Sequence, residues 1–296
     1  MKGYSHAISG ALVWTAATSA YVPFAPYVQD TSTVLAGALL TAGAAILADS
    51  DHPEGTISYS LPSVKVLGIT LVPSPTRLLA KGVHAISGGH RHGTHSLIGI
   101  AVFTALAFLA PKLIIPVYGR PLPVLALLYM ILLAAYASKA TGFSRMLGGA
   151  IGGTGGTFLR SWLGPWIVAL VFAGWVAWTK GGNLDWLPVS VCIGMFMHIL
   201  GDMLTVEGVP WLWPWNPKPP VPTTFWHRNG YFAFPILGHT ESTREAVFAF
   251  LMALVLVLAL TLQTAYGLGH PLADPWPGWW HQLWTAVEQL IAQWRS

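Results

Sequence analysis

The sequence predicts an all-α, polytopic membrane bundle of about seven spans, with an interfacial metal site. Three observations lead there. Charged residues make up 9% of the 296 residues and hydrophobic ones 54%, at a mean hydropathy of +0.57, whereas soluble proteins carry roughly 25% charge. Uncharged apolar runs recur along the chain, close to the ~20 residues a helix needs to cross a bilayer. The few acidic residues and several histidines gather in short clusters near the ends of those runs. This composition excludes a disordered chain, a coiled coil and a nucleic-acid-binding module. The single Cys192 excludes an internal disulfide framework and a Cys-rich zinc site.

Spans are expected over residues 7–22, 34–48, 97–115, 122–138, 161–179, 187–203 and 246–268. Gly3 to Gln29 contains no Asp, Glu, Lys or Arg, and Ala7 to Val22 is its most apolar part. Thr31 to Ala48 follows. Both runs are short and rich in Ala and Thr, which also fits partial or re-entrant insertion. Lys2 ahead of the first run and the small residues Thr18-Ser19-Ala20 would suit a signal peptide; His6 argues for retention, because it belongs with the site residues below. Leu97 to Val117 is broken only by Pro111 and Lys112, and Pro121 to Ser138, Ser161 to Thr179, Trp186 to Gly201 and Ala246 to Ala273 complete the set. With these spans, eleven Lys and Arg fall on the face of the N-terminus and the 49–96, 139–160 and 204–245 connections, against four on the other. The first face is therefore expected to be cytoplasmic, and the C-terminus outside.

Residues 1–268 form the expected membrane-embedded domain. The remaining 269–296 carry Trp276, Trp279, Trp280, Trp284 and Trp294, which suits a helix lying at the lipid interface. Met146 to Phe158 holds six glycines. It lacks the preceding strand and the Gly-Lys-Ser/Thr of a phosphate-binding loop, so it reads as a flexible connection. Trp213 to Pro222 has five prolines and cannot be helical; it reads as an extended interfacial segment.

Four clusters could carry chemistry: Asp49, Asp51, His52 and Glu54; His90, Arg91, His92, Thr94 and His95; His198 with Asp202; and His239 to Glu245. Ionisable groups within a span cost about 2.5–3.5 kcal/mol each by insertion scales and need a reason. His198 and Asp202 are four apart and share one helix face. That spacing makes either a two-ligand platform for a divalent metal or a hydrogen-bonded pair tying two helices together. Topology discriminates. His6 starts the first span, Asp49 to His52 end the second, His90 to His95 precede the third, Asp202 ends the sixth and Glu245 starts the seventh. All five ends share one face, as a multi-ligand metal site requires. Imidazole and carboxylate without thiolate suit Zn²⁺, with Mn²⁺ or Fe as alternatives. Arg91 is placed either to hold a phosphate or carboxylate or to bridge to Asp49 or Asp51. Ser96 beside His95 does not make a Ser-His-Asp centre, because adjacent residues do not face each other on a helix. His84, His92, His227, His239, His270 and His281 have no partner pattern.

These motifs resemble a known family. Ser5-His6, Asp49-Ser50-Asp51-His52-Pro53, Gly89-His90-Arg91-His92-Gly93-Thr94-His95-Ser96 and His198-Ile199-Leu200-Gly201-Asp202, running on to Trp213-Pro214, are similar to the YdjM-like bacterial inner-membrane proteins. That family is described as LexA-regulated, membrane-bound, predicted metal-dependent hydrolases. Glu245 looks like its final acidic position. The family is in turn thought to be related to zinc-dependent phospholipase C and the S1/P1-type nucleases, all-α enzymes with zinc clusters held by His, Asp and Glu. The relation implies phosphoester hydrolysis. Those soluble enzymes use the N-terminal amine as a ligand, whereas here Met1 precedes His6 by five residues on a membrane chain.

The expectation is thus a membrane-bound metal-dependent hydrolase acting on a phosphoester of a lipid or lipid-linked substrate. His6, Asp51, His52, His90, His95, His198 and Asp202 form the ligand pool, with Asp49, Asp51 and Arg91 in catalytic roles. The carboxylate not on metal, Asp49 or Asp51, would act as general base. A metal or ion transporter using the same residues is the alternative; it would need polar residues continuing to the far side, and the fourth and fifth spans offer only Tyr, Ser, Thr and Trp. A structural membrane protein whose metal merely holds helices together is a third reading.

Overall fold

The computed structural model describes residues 1–19, 29–55, 58, 60–61, 63–66, 69–118, 121–140, 163–180 and 184–269, with three positions near the C-terminus. The glycine-rich stretch 146–158, and the Trp-rich segment beyond Gly269 apart from those three positions, lie outside the described residues. The chain is helical: α1 (Gly3–Thr18), α2 (Thr31–Ala44), α3 (Pro75–Ser87), α4 (Leu97–Tyr118), α5 (Pro121–Ala140), α6 (Leu163–Lys180), α7 (Leu187–Met203) and α8 (Thr243–Gly267). One departure from all-α occurs among the described residues, a short antiparallel hairpin of β1 (Val64–Val66) and β2 (Ile69–Val72).

Local chemistry sets the helix ends. Asp30 caps α2 by accepting from the Thr33 backbone N–H at 3.1 Å. Ser74 caps α3, Pro75 opens it, and Gly88 closes it at φ +83°. Ser242 caps α8 through the Glu245 N–H, with Glu245 at the third helical position as in a capping box. Beyond α2 the chain tightens into a 3-10 turn, Leu47–Asp51, which turns Asp49 and Asp51 toward the neighbouring helices.

Each of the seven expected spans falls largely on a helix, with residues 20–22 and 161–162 outside the described residues. Two helical stretches among the described residues are long and apolar enough to cross a membrane, Thr31–Asp51 at hydropathy 1.7 and Thr243–Gly267 at 2.5. Seven crossings therefore go beyond what length and hydropathy support. The physical reason lies in packing. α1 and α2 sit inside the bundle and are built from small residues that allow backbones to approach. A β-carbon at Gly37 would collide with the Trp14 indole, and one at Gly43 with the Met130 carbonyl on α5. Trp14 is fully buried and donates through Nε1 to the Val34 carbonyl at 3.1 Å. The apolar core gathers α1, α2, α5 and α7 around it. In contrast, α8 presents Val247, Phe250, Leu254 and Val257 outward, each more than half exposed, an apolar exterior typical of a helix solvated by lipid. At one end of the bundle Gln263 of α8 accepts from the Ser19 hydroxyl at 2.8 Å and donates to the Thr31 hydroxyl at 3.1 Å. The other end carries the site.

Candidate metal centre

Five segments meet at that end: the start of α1, the turn after α2, the loop before α4, the end of α7 and the start of α8. His95, His198, Asp51, Asp202, His6 and Glu245 are all buried to 1% exposure or less. Gly201 permits the approach of α1 to α7, since a β-carbon there would lie 2.9 Å from His6 Nδ1. Asp49 and His90 stay partly open, with side chains 24% and 33% exposed, and define the accessible side.

Four donor atoms converge at the centre. His95 Nε2 and His198 Nε2 are 3.1 Å apart. Asp49 Oδ1 is 3.6 Å from each of them. Asp202 Oδ2 is 3.6 Å from His95 Nε2 and 3.7 Å from His198 Nε2. Ligands bonded to Zn²⁺ at 2.0–2.2 Å in a tetrahedron stand about 3.3–3.6 Å apart; the three 3.6 Å edges have that spacing, and the 3.1 and 3.7 Å edges lie just outside it.

The proton assignments sharpen this. His198 Nδ1 lies 2.6 Å from the Ala45 carbonyl, which can only accept, so Nδ1 carries the hydrogen and a neutral ring leaves Nε2 bare. Thr94 donates its single hydroxyl hydrogen to Asp51 Oδ2, so it must accept from His95 Nδ1, 3.0 Å away. A neutral His95 then also presents a bare Nε2. Two imidazole lone pairs and two carboxylate oxygens facing one another repel, unless a cation sits among them. The residues present therefore fit a divalent metal, with each imidazole fixed by an outer partner in the manner of metal-bound histidines.

A second donor group adjoins the first. His6 stacks on His198 with ring centroids 3.8 Å apart, and neither of its ring nitrogens has a hydrogen-bond partner. Its Nε2 lies 3.2 Å from Asp202 Oδ1, close in distance but off the hydrogen-bond direction. The Met1 amine reaches the same Oδ1 at 2.5 Å. His6, His198 and Asp202 form one compact donor group, and Asp49, His90 and His95 another.

Asp51 takes a different place from that of a ligand. Its Oδ1 faces His90 Nδ1 at 2.9 Å and its Oδ2 accepts from Thr94. It thus braces both His90 and, through Thr94, His95. Burial disfavours protonated His90, but the Asp51 carboxylate outweighs it and raises the His90 pKa above the ordinary value. His52 packs edge-on against His90 with centroids 4.4 Å apart, and its Nδ1 accepts from the Glu54 N–H; it lies beside the donor groups rather than in them. Glu245 also stands outside them. It accepts from the Lys2 N–H, the Ser5 hydroxyl and the Glu241 N–H, pinning the start of α1 to the start of α8.

Arg91 bridges neither Asp49 nor Asp51. Its guanidinium lies 3.2 Å from Asp202 Oδ2 and 2.9 Å from Glu207 Oε2. The Nη1 hydrogens are not aligned on Glu207, so the second contact is one of charge. The Arg91 backbone is left-handed at φ +58°, which turns the side chain toward α7 instead of the 3-10 turn. The Tyr231 hydroxyl donates to the Arg91 carbonyl at 3.0 Å and holds that conformation. Burial raises the Tyr231 pKa despite the nearby guanidinium. Glu207, Tyr231 and the Met1 amine were not among the expected site residues. Glu207, one of eleven acidic residues and five after Asp202, carried a visible signal; Tyr231 carried none. His84, without an expected partner, faces the Asp51 carbonyl at 2.9 Å through Nδ1. Ser96 donates to the Gly93 carbonyl, away from His95.

Fold and site together define a helical membrane protein with a buried constellation of His and Asp able to hold metal. The chain belongs to the YdjM inner membrane protein family, whose family model matches residues 1–268. It is accordingly an inner membrane protein. No curated protein and no solved structure matches the chain.

Proposed function

We propose that the protein is a membrane-bound metal-dependent hydrolase that cleaves a phosphoester in a lipid or lipid-linked substrate. The carrying observation is the quartet of bare donor atoms from His95, His198, Asp49 and Asp202, spaced 3.1–3.7 Å along five edges. Zn²⁺ suits this set of imidazole and carboxylate donors, with Mn²⁺ or Fe as alternatives. A bound divalent ion supplies Lewis acidity and an activated water at neutral pH. His6 and His90 stand ready at either side of the quartet to hold further metal. With Oδ1 of Asp49 in the quartet, its second oxygen would be the one to take a proton from water, because the Asp49 side chain reaches solvent and that of Asp51 does not. Arg91, 18% exposed, is the cation available to an anionic phosphate, which would compete with Glu207 for it.

In this reading the seven helices α1, α2 and α4–α8 all cross the bilayer, the shortest ones shielded from lipid by their neighbours, with the site on the cytoplasmic face. The apolar outer surface of α8 and the site's position at the bundle end favour a substrate that arrives from the membrane. Elemental analysis of the purified protein, paired with turnover assays on phospholipids, lipid-linked phosphates and nucleotides, tests the proposal. At least one metal equivalent and turnover lost on chelation are expected. Metal without any turnover above an Asp49→Ala control leaves a structural metal protein or a transporter instead. Cysteine-accessibility labelling at Lys65 and Arg295 from opposite sides of sealed cells tests the odd number of crossings.

A further inference from the structure

The segment between α2 and α4 contains α3, which packs on the 3-10 turn Leu47–Asp51. Only one side of α3 is buried, through Thr76, Ala80 and Ser87. At 3.6 residues per turn these lie within one narrow arc. The opposite arc carries Leu78, Leu79 and Ile86, exposed by 53%, 55% and 86%, next to Ala85 and Gly82. Arg77 and Lys81 occupy one edge of that arc, a turn apart, and no carboxylate occurs anywhere in α3. Water would not favour three large aliphatic side chains standing out from a 13-residue helix. An apolar arc flanked by cations is the pattern of a helix lying in the plane of a membrane surface.

A second element adjoins it. The Trp213 indole packs over Gly88 and Gly93, where a β-carbon at Gly93 would come within 3.2 Å of the ring. The segment 211–236 runs through the proline-rich stretch and exposes Leu212, Trp215, Val221, Phe225, Phe234 and Ile236 by 42–78%. Lys218 and Arg228 lie in it, with no Asp or Glu between Gly208 and Thr240. Trp211 joins this segment to the apolar exterior of the bundle, its ring 5.9 Å from exposed Phe196 of α7. Both elements are anchored at the site, α3 by His84 on the Asp51 carbonyl and the segment by Tyr231 on the Arg91 carbonyl.

We propose that α3 and residues 211–236 form a collar that docks the rim of the site into the head-group layer of an anionic bilayer. The aliphatic and aromatic side chains enter the acyl boundary, and Arg77, Lys81, Lys218 and Arg228 meet lipid phosphates. Docking of the collar requires no turnover, so it stands or falls apart from the hydrolase reading.

The test uses the full-length protein with Cys192→Ala, carrying single cysteines at Leu79→Cys, Phe225→Cys or, as the lipid-facing reference, Leu254→Cys of α8. Each is labelled with an environment-sensitive fluorophore and placed in nanodiscs of phosphatidylcholine alone or mixed with phosphatidylglycerol. Labels at 79 and 225 should shift to shorter wavelength, resist iodide and be quenched by lipids brominated near the head group. The shift should be larger with phosphatidylglycerol, and Arg77→Glu/Lys81→Glu should abolish that difference at 79 while the label at 254 stays unchanged. Quenching by iodide with no effect of brominated lipid overturns the proposal. Shielding from both quenchers in particles of doubled protein mass assigns the collar to a second copy of the chain and overturns it as well.

Discussion

Asp51→Asn separates a metal ligand from the group that braces one. The substitution keeps shape and removes charge. Asparagine can still accept from His90 Nδ1, now 2.9 Å from Asp51 Oδ1. Its amide would face Thr94, whose hydroxyl hydrogen loses the carboxylate it now reaches. Thr94 can still accept from His95 Nδ1. What disappears is the charge that steadies His90 and His95 from behind, while all four atoms of the quartet remain. Losses of outer partners of this kind typically weaken metal binding about 10–100-fold, or about 1.4–2.7 kcal/mol. Asp202→Asn removes a quartet member and should abolish tight binding. Competition titration against a graded series of chelators, on protein in nanodiscs, measures both. Equal loss in the two variants would make Asp51 a ligand, and unchanged affinity in Asp51→Asn would leave the brace idle; either result refutes the reasoning.

His198→Ala should lose metal while the protein still inserts, as read by elemental analysis of the membrane fraction; retained metal would reduce the His198–Asp202 pair to a structural contact. Arg91→Lys should keep part of the turnover and Arg91→Ala little, with metal content unchanged in both, if the guanidinium acts by charge on phosphate. Gly43→Ala forces a methyl into the Met130 backbone carbonyl, which cannot step aside, so a loss of at least about 3 kcal/mol is expected; an unchanged Tm in a detergent melt would contradict that packing. Glu245→Gln places an amide hydrogen against one of three donors and should lower stability by about 1–3 kcal/mol while metal content holds.

The gathering of the site residues at one end of the bundle was legible in the sequence, and the neighbours of each were not. Apolar runs located seven helices, and the sharing of one bundle end by His6, Asp49, His95, Asp202 and Glu245 follows from counting them. Which ends adjoin depends on interhelical packing, which leaves little trace in a single chain. Asp49 and Asp51 are two residues apart, yet the 3-10 turn aims one at His95 and His198 and the other at His90 and Thr94. Arg91 goes to Asp202 and Glu207 because its backbone is left-handed, a conformation the sequence Gly-His-Arg-His-Gly does not announce. The α3 helix, inside the expected 49–96 connection, was missed: it is only 13 residues long, and its large apolar side chains face away from the core. α1 and α2, whose short runs rich in Ala and Thr suggested partial or re-entrant insertion, pack at the centre of the bundle through small residues.

The hydrogen bond from His198 Nδ1 to the Ala45 carbonyl has a consequence for how this protein tolerates change. The nitrogen that His198 offers is chosen by an oxygen belonging to the main chain, and no replacement of the Ala45 side chain deletes that oxygen. Saturation mutagenesis would therefore score position 45 by volume, since the Ala45 methyl packs where a β-carbon on Gly10 would stand, and, for proline, by the loss of the Ala45 N–H bond to the Thr41 carbonyl. The instruction that sets the tautomer would stay hidden from any such scan. Only a shift of the polypeptide itself, such as a residue inserted between Ala44 and Leu47, would erase it, and it would then misdirect His198 without altering a single residue of the site.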